Sequence, residues 1–140
     1  MQIINLKEDF EIYGLKTRTD NSSEMSGCGK IASLWKEFLS LGFGDLDEIY
    51  AVYHEYESDI NGFCSLIVGA KNLERKDSRK VFVKNGKYAM FSKDGTGESV
   101  TIELWHEIWS FFKSSNLQRA YESDFEKHLK DKIEIYISIK

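Results

Sequence analysis

Glu134 and Tyr136 stand two positions apart in the run Lys132-Ile133-Glu134-Ile135-Tyr136-Ile137-Ser138-Ile139. Four isoleucines alternate there with a carboxylate, a phenol and a hydroxyl. Period-two alternation of β-branched residues predicts a strand with one apolar, buried face. Glu134 and Tyr136 then project together from the other face. A carboxylate beside aromatic surface can receive an organic cation, because the charge is neutralised while the rings supply apolar and cation–π contact. The same residues also suit an ordinary solvated strand face, so the pair alone leaves both readings open.

The rest of the chain supplies the surroundings. Aromatic residues make up 14% of it, with seven Tyr, nine Phe and three Trp. A core of this size needs fewer, which leaves some to line a surface or pocket. Tyr53, Phe63, Tyr88, Trp109 and Tyr121 are the candidate stacking surfaces to go with Glu134 and Tyr136. Trp35 and Trp105 read as core residues.

Other chemistry finds little support. His54, His106 and His128 show no metal-ligand spacing with one another or with cysteine. Gly27-Cys28-Gly29-Lys30 lacks the spacing and the preceding strand of a phosphate loop. Cys28 and Cys64 read as free thiols of a reducing cytoplasm, with pairing between them left open. The expectation is therefore no metal, no cofactor and no catalytic set. The chain reads as a binding protein rather than an enzyme.

The 140 residues correspond to one domain with a sizeable core. Apolar content of 41% and charged content of 30% are those of a soluble globular chain. A net charge of −4 argues against a nucleic-acid footprint, which needs clustered Lys and Arg. No apolar run reaches the length of a membrane span, and the polar start is no signal peptide. A cytoplasmic location is expected.

There is no proline, so turns must come from Gly, Asn and Asp. Periodicity predicts strands over 10–18, 48–56, 63–70, 80–84, 87–92, 120–127 and 133–139, and helices over 30–41 and 98–112. Ile31, Leu34, Trp35 and Phe38 form the stripe of the first helix, and Gly42 is its expected stop. Ile102, Trp105, Ile108, Trp109 and Phe112 form the stripe of the second. Hairpins are predicted at 59–62 and around Asn85-Gly86, the latter a strong two-residue turn signal.

The two halves echo each other. Leu34-Trp35-Lys36-Glu37-Phe38 resembles Leu104-Trp105-His106-Glu107-Ile108, and Tyr56-Glu57-Ser58-Asp59 recurs as Tyr121-Glu122-Ser123-Asp124. With the matching order of elements, this predicts an α+β fold of duplicated β-α-β-β modules, about 1–72 and 78–140. Two such modules side by side form one antiparallel sheet with both helices on one face. A ligand groove is expected on the opposite face, along the pseudo-twofold axis.

These residues carry a resemblance to the GyrI-like effector-binding domains, the ligand domains of many AraC- and MerR-type regulators. The matches run along nearly the whole chain: Gly29-Lys30-Ile31 with Leu34-Trp35, Ile49-Tyr50-Ala51-Val52-Tyr53, and Tyr56-Glu57-Ser58-Asp59 with Gly62. They continue through Gly86-Lys87-Tyr88-Ala89-Met90-Phe91, Trp105-His106-Glu107-Ile108-Trp109, Arg119-Ala120-Tyr121, Asp124-Phe125-Glu126 and Glu134-Ile135-Tyr136-Ile137. The resemblance implies the duplicated fold and a small-molecule ligand, often cationic and aromatic, with a link to transcription regulation or multidrug resistance. It supports Glu134 and Tyr136 as site residues. His128 departs from the family pattern, which has an aromatic residue there. No helix-turn-helix fits the sequence, so the chain is expected to be free-standing, without its own DNA reader. Two other readings stay open. One is a hydrolase of reactive electrophilic compounds with Glu134 as general base. The other is a module that captures a protein partner through an acidic surface.

Overall fold

The structure, a computed structural model, describes residues 1–25, 29–59 and 61–140. Its elements are β1 (Gln2–Leu6), β2 (Phe10–Thr19), the short α1 (Asn21–Met25), α2 (Ile31–Phe38), β3 (Ile49–His54), β4 (Cys64–Ala70), β5 (Arg79–Val83), β6 (Gly86–Asp94), α3 (Glu98–Ser114), β7 (Ser123–His128) and β8 (Lys132–Ser138). No helix among the described residues is long and apolar enough to cross a membrane.

α2 follows its apolar stripe, whereas α3 does so only in part: of its expected stripe Ile108 is buried and Ile102 is 48% exposed, while Leu104, outside that stripe, turns inward. α2 buries Leu34 and Phe38. Its first turn is held from outside, since the backbone N–H groups of Lys30 and Ile31 donate to the Glu24 carboxylate of α1 at 2.7 and 3.2 Å. A wide turn over Leu39–Phe43 continues the helix, and Gly42, at φ 90°, ends it in the left-handed conformation that glycine tolerates best. α3 buries Leu104 and Ile108.

All eight strands form one antiparallel sheet in the order β1-β6-β8-β7-β3-β4-β2-β5. The six inner strands are the two modules, β6-β8-β7 and β3-β4-β2, meeting at β7 and β3. Leu34 and Phe38 pack on Ile49, Ala51, Leu66 and Val68, while Leu104 and Ile108 pack on Ala89, Phe91, Ile133, Ile135 and Ile137. Ala51 opposes Glu126 and Glu126 opposes Ile135, so the two sets of floor residues share one face. Both helices therefore cover the same side of the sheet, as the duplicated α+β arrangement requires.

Three expectations are corrected. First, Asn85-Gly86 does not close a hairpin. β5 pairs with β2, setting Val83 opposite Phe10 and Val81 opposite Ile12, while β6 pairs with β1 and β8. The local turn signal is outweighed by burial: Val81 and Val83 are 7% and 0% exposed once laid beside β2. The strand β1 and the helix α1 were not legible in the periodicity either.

Second, the face opposite the helices is packed, not open. Ile12, Tyr50, Val52, Ile67, Val81, Val83, Tyr88 and Phe125 form a single buried cluster there. The chain links explain why. Residues 7–9 join β1 to β2, and residues 84–85 join β5 to β6, yet each pair of strands lies at opposite ends of the sheet order. Links this short span no more than about 14 Å. The sheet must coil until its two ends approach, and Asn85 N–H donates to Asp9 Oδ1 at 2.6 Å where the links meet.

Third, only one of the two echoes is structural. Leu34-Trp35 and Leu104-Trp105 hold matching places on α2 and α3. Tyr56-Glu57-Ser58-Asp59 follows β3, whereas Tyr121-Glu122-Ser123-Asp124 leads into β7.

Candidate functional site

Between α2 and α3 the floor is the central pair β3 and β7. Tyr53 opposes Asp124, Ala51 opposes Glu126 and Ile49 opposes His128, all six on the helix side. Glu126 is 1% exposed. A buried carboxylate is costly unless its oxygens are satisfied, and here both are. Oε2 accepts from the Tyr53 hydroxyl at 3.0 Å and from Trp105 Nε1 at 2.7 Å. Oε1 accepts from His128 Nε2 at 2.7 Å. Burial, and then the Glu126 charge, push the Tyr53 phenol well above its ordinary pKa, so it stays a donor.

Aromatic rings from both halves surround this carboxylate. Trp35 of α2 meets His128 edge-on with centroids 4.6 Å apart. Trp105 of α3 meets Tyr53 edge-on at 5.6 Å, and Trp109 lies against Trp105 at 6.0 Å. Trp35, Tyr53, Trp105, Trp109 and His128 all remain partly exposed. A fully buried negative charge thus sits beneath half-open aromatic surface. That arrangement can stabilise a cation by Coulomb attraction and by ring contact together.

A second buried acid stands next to it on β7. Asp124 is fully buried and accepts from Tyr56 OH at 2.6 Å, Arg119 Nη2 at 2.7 Å, Ser138 N–H at 2.7 Å and Ser138 OH at 3.0 Å. Burial opposes the charge on Arg119, but Asp124 outweighs it and the guanidinium pKa is raised. This cluster is internally matched, acid to base, and braces the strand that carries Glu126.

The residues singled out from sequence divide between places. Glu134, Tyr136 and Tyr88 share the face away from the helices. There the Tyr136 hydroxyl donates to Glu134 at 3.0 Å, Lys132 Nζ lies 3.3 Å from the same carboxylate, and the Tyr136 ring stacks on Phe125 at 4.5 Å. Tyr88 is buried, meets Phe125 edge-on, and donates to the Lys84 carbonyl at 2.6 Å. Tyr53 and Trp109 lie on the helix face beside Glu126. Tyr121 packs against Tyr56 and under the Arg119 guanidinium, 4.4 Å from its ring centroid. Phe63 is 44% exposed ahead of β4. The sheet therefore separates Glu134 from Tyr53 and Trp109. Cys64 is a free thiol whose pKa burial raises to about 11; Cys28, and so any pairing with it, lies outside the described residues.

Glu126, His128, Trp35 and Trp105 were missed as site residues. Signals for them existed. Asp124, Glu126 and His128 alternate with Phe125 at period two, and the Leu-Trp echo marks the two residues that close on them.

One antiparallel sheet of two modules with both helices on one face is the architecture of an effector-binding domain, and the sequence carries the same class. The chain belongs to the Cass2 family of integron-associated effector binding proteins, whose sequence profile matches residues 3–139. It is 33% identical to the integron cassette protein VCH_CASS2, solved from the mobile metagenome of Vibrio cholerae, with a TM-score of 0.90 over 99% of this chain and 95% of that one. It is 28% identical to YobU of Bacillus subtilis (strain 168), named as a candidate transcriptional regulator, over 91% of this chain and 90% of YobU. The fold also matches SAV2435, solved bound to tetraphenylphosphonium, at TM-score 0.76 and 16% identity over 99% of this chain and 93% of that one.

Proposed function

We propose that this protein binds a lipophilic organic cation between α2 and α3, with Glu126 as the counter-charge and Trp35, Tyr53, Trp105 and Trp109 as the aromatic surface. The observation that carries the reading is the Glu126 carboxylate, 1% exposed and held by three donors beneath partly open rings. Tetraphenylphosphonium on SAV2435, a protein of the same fold, supports a cation as the ligand class. The name of YobU supports a role connected with transcriptional regulation. Glu134 with Tyr136 is the rival seat, and Lys132 already partners its carboxylate.

The chain's three tryptophans all lie on α2 or α3, so quenching of their emission reports the site directly. Glu126→Gln keeps the shape and removes the charge, and losing a buried partner of a bound cation costs about 2–5 kcal/mol. Tetraphenylphosphonium affinity should fall at least about thirtyfold in Glu126→Gln and stay unchanged in Glu134→Gln. The reverse pattern moves the seat to the other face. Chromatography of the recovered ligand decides the enzyme alternative, since a carboxylate beside an imidazole can also activate water.

A further inference from the structure

We propose that His128 is an internal competitor for the Glu126 carboxylate: the site takes up cations while His128 is neutral and loses them when it is protonated. The inference rests on Glu126 being the counter-charge. His128 Nε2 lies 2.7 Å from Glu126 Oε1, and the two residues project from the same face of β7, two positions apart. Imidazole is the side chain that changes charge between about pH 5 and 8. When neutral, the ring donates one hydrogen bond and leaves the carboxylate's charge unmatched. When protonated, it places a positive charge at the atom that an entering cation must also approach.

Among the described residues, His128 has no other titrating partner at that distance. α2 presents the uncharged Trp35 ring, 4.6 Å away between centroids. β3 presents Ile49 and β8 presents Ile133 directly opposite. α3 presents Trp105, which occupies the other carboxylate oxygen, and the Tyr53 phenol beside it stays protonated. Glu24 of α1 is engaged by Thr19 and the start of α2. At the strand ends Asp47 and Lys130 pair with each other at 3.7 Å, and Glu48 pairs with Lys127 at 3.5 Å on the far face, where Glu134 also lies. Among the described residues, His128 is the one basic group within ion-pair distance of Glu126. Two other imidazoles need separating from it. Burial lowers His54 to about 4, below the relevant range, and His106 lies 5.4 Å from Trp109 on α3.

Competition for one site by one proton has a fixed limit. Below the transition, cation affinity falls about tenfold per pH unit, and uptake of each cation releases up to about one proton. Tetraphenylphosphonium is the probe, because its own charge does not change with pH. Its binding is measured at pH 5.5 and 8.0 by tryptophan quenching, and by calorimetry in two buffers of different ionisation heat. The proteins are wild type, His128→Gln, His128→Phe and Glu126→Gln, with thermal melts to confirm folding.

Wild type should bind more weakly at pH 5.5 than at pH 8.0, by up to about tenfold per pH unit, and release up to about one proton on binding. Either folded His128 variant should lose both the slope and the proton release. A slope that persists without His128 overturns the proposal and points to His106. A flat wild-type profile with binding still weakened in Glu126→Gln removes the competitor and leaves the Glu126 seat. Unweakened binding in Glu126→Gln removes the seat, and the competitor with it.

Discussion

Replacing Asp124 with alanine withdraws one acceptor from four donors: Tyr56 OH, Arg119 Nη2, Ser138 N–H and Ser138 OH. Most of this cluster is shut off from water, and Ser138 is 5% exposed. Asp124 is 0% exposed, the Arg119 side chain is 8% exposed, and Arg119 Nε is buried with no partner among the described residues. Breaking a buried ion pair from one side leaves an uncompensated charge and costs about 3–5 kcal/mol. Each stranded neutral donor adds about 1–3 kcal/mol where water cannot reach it. Relaxation around the shortened side chain returns part of this, so an expected loss of about 4–5 kcal/mol is reasonable. Against a total stability of about 5–15 kcal/mol that is a large share. It corresponds to a fall in Tm of roughly 10–15 °C for a chain of this length.

Urea unfolding of Asp124→Ala, Arg119→Met and the double variant, followed by circular dichroism, measures both the loss and the coupling. Arg119→Met alone leaves Asp124 with its two Ser138 bonds and the Tyr56 bond, so it should cost less than Asp124→Ala. The double variant should be much more stable than the sum of the singles predicts, by at least about 1.5 kcal/mol. Strict additivity, or a loss in Asp124→Ala below about 1 kcal/mol, would refute the view that this cluster is a desolvated ion pair bracing β7.

Two further predictions concern other parts of the fold. Burial holds the His54 imidazole neutral by lowering it to about 4, while the unfolded chain takes up that proton below about pH 6.5. The unfolded state therefore binds more protons between these values, and stability falls as pH drops from about 6.5 to about 4, by up to about 3 kcal/mol. His54→Gln should flatten that part of the urea midpoint-versus-pH curve; an equally steep fall in the variant would count against it. On β2, a Cβ at Gly14 would lie 2.0 Å from the Val68 carbonyl oxygen and 2.6 Å from Gly69 Cα, all backbone. Gly14→Ala should therefore part β2 from β4 and cost about 3 kcal/mol or more, seen as soluble yield and urea midpoint; wild-type values for both would show that the strands can yield.

What the sequence made legible was local periodicity. β8 was readable because Ile133, Ile135 and Ile137 all face the buried side and each is fully covered. α3 was readable as a helix because apolar residues recur at helical spacing from Ile102 to Phe112, but its buried face was misplaced: Leu104 and Ile108 are covered while Ile102 is 48% exposed. β1 was hidden for the opposite reason: Gln2–Leu6 is an edge strand with mostly exposed residues, so no alternation was imposed on it. The false hairpin at Asn85-Gly86 shows a turn signal that was real in kind, since Gly86 has φ 139°. Which strand each arm then joined was decided by contacts tens of residues away. Glu126 was the hardest to see. In Ser123-Asp124-Phe125-Glu126-Lys127-His128 the charged residues look like a solvated face, and it takes the partners Tyr53 and Trp105, 73 and 21 positions distant, beside the neighbouring His128, to make burial tolerable.

The crossed placement of the leading strands has a practical outcome. β1 belongs by sequence to the first half but lies on β6, while β5 belongs to the second half but lies on β2. Cutting the chain between β4 and β5 would therefore not yield two independent domains. The piece carrying β2 would expose a bare sheet edge, and the piece carrying β6 would expose another. Each piece holds the strand the other lacks. Expressed together, they would reassemble as a complementing pair, braided through their first strands, with Trp35 and Trp105 brought onto the opposite fragment's floor. The chain is thus suited to a split reporter in which the tryptophan emission shifts when the fragments meet and the rings are covered, and in which an organic cation tightens the rejoined pair.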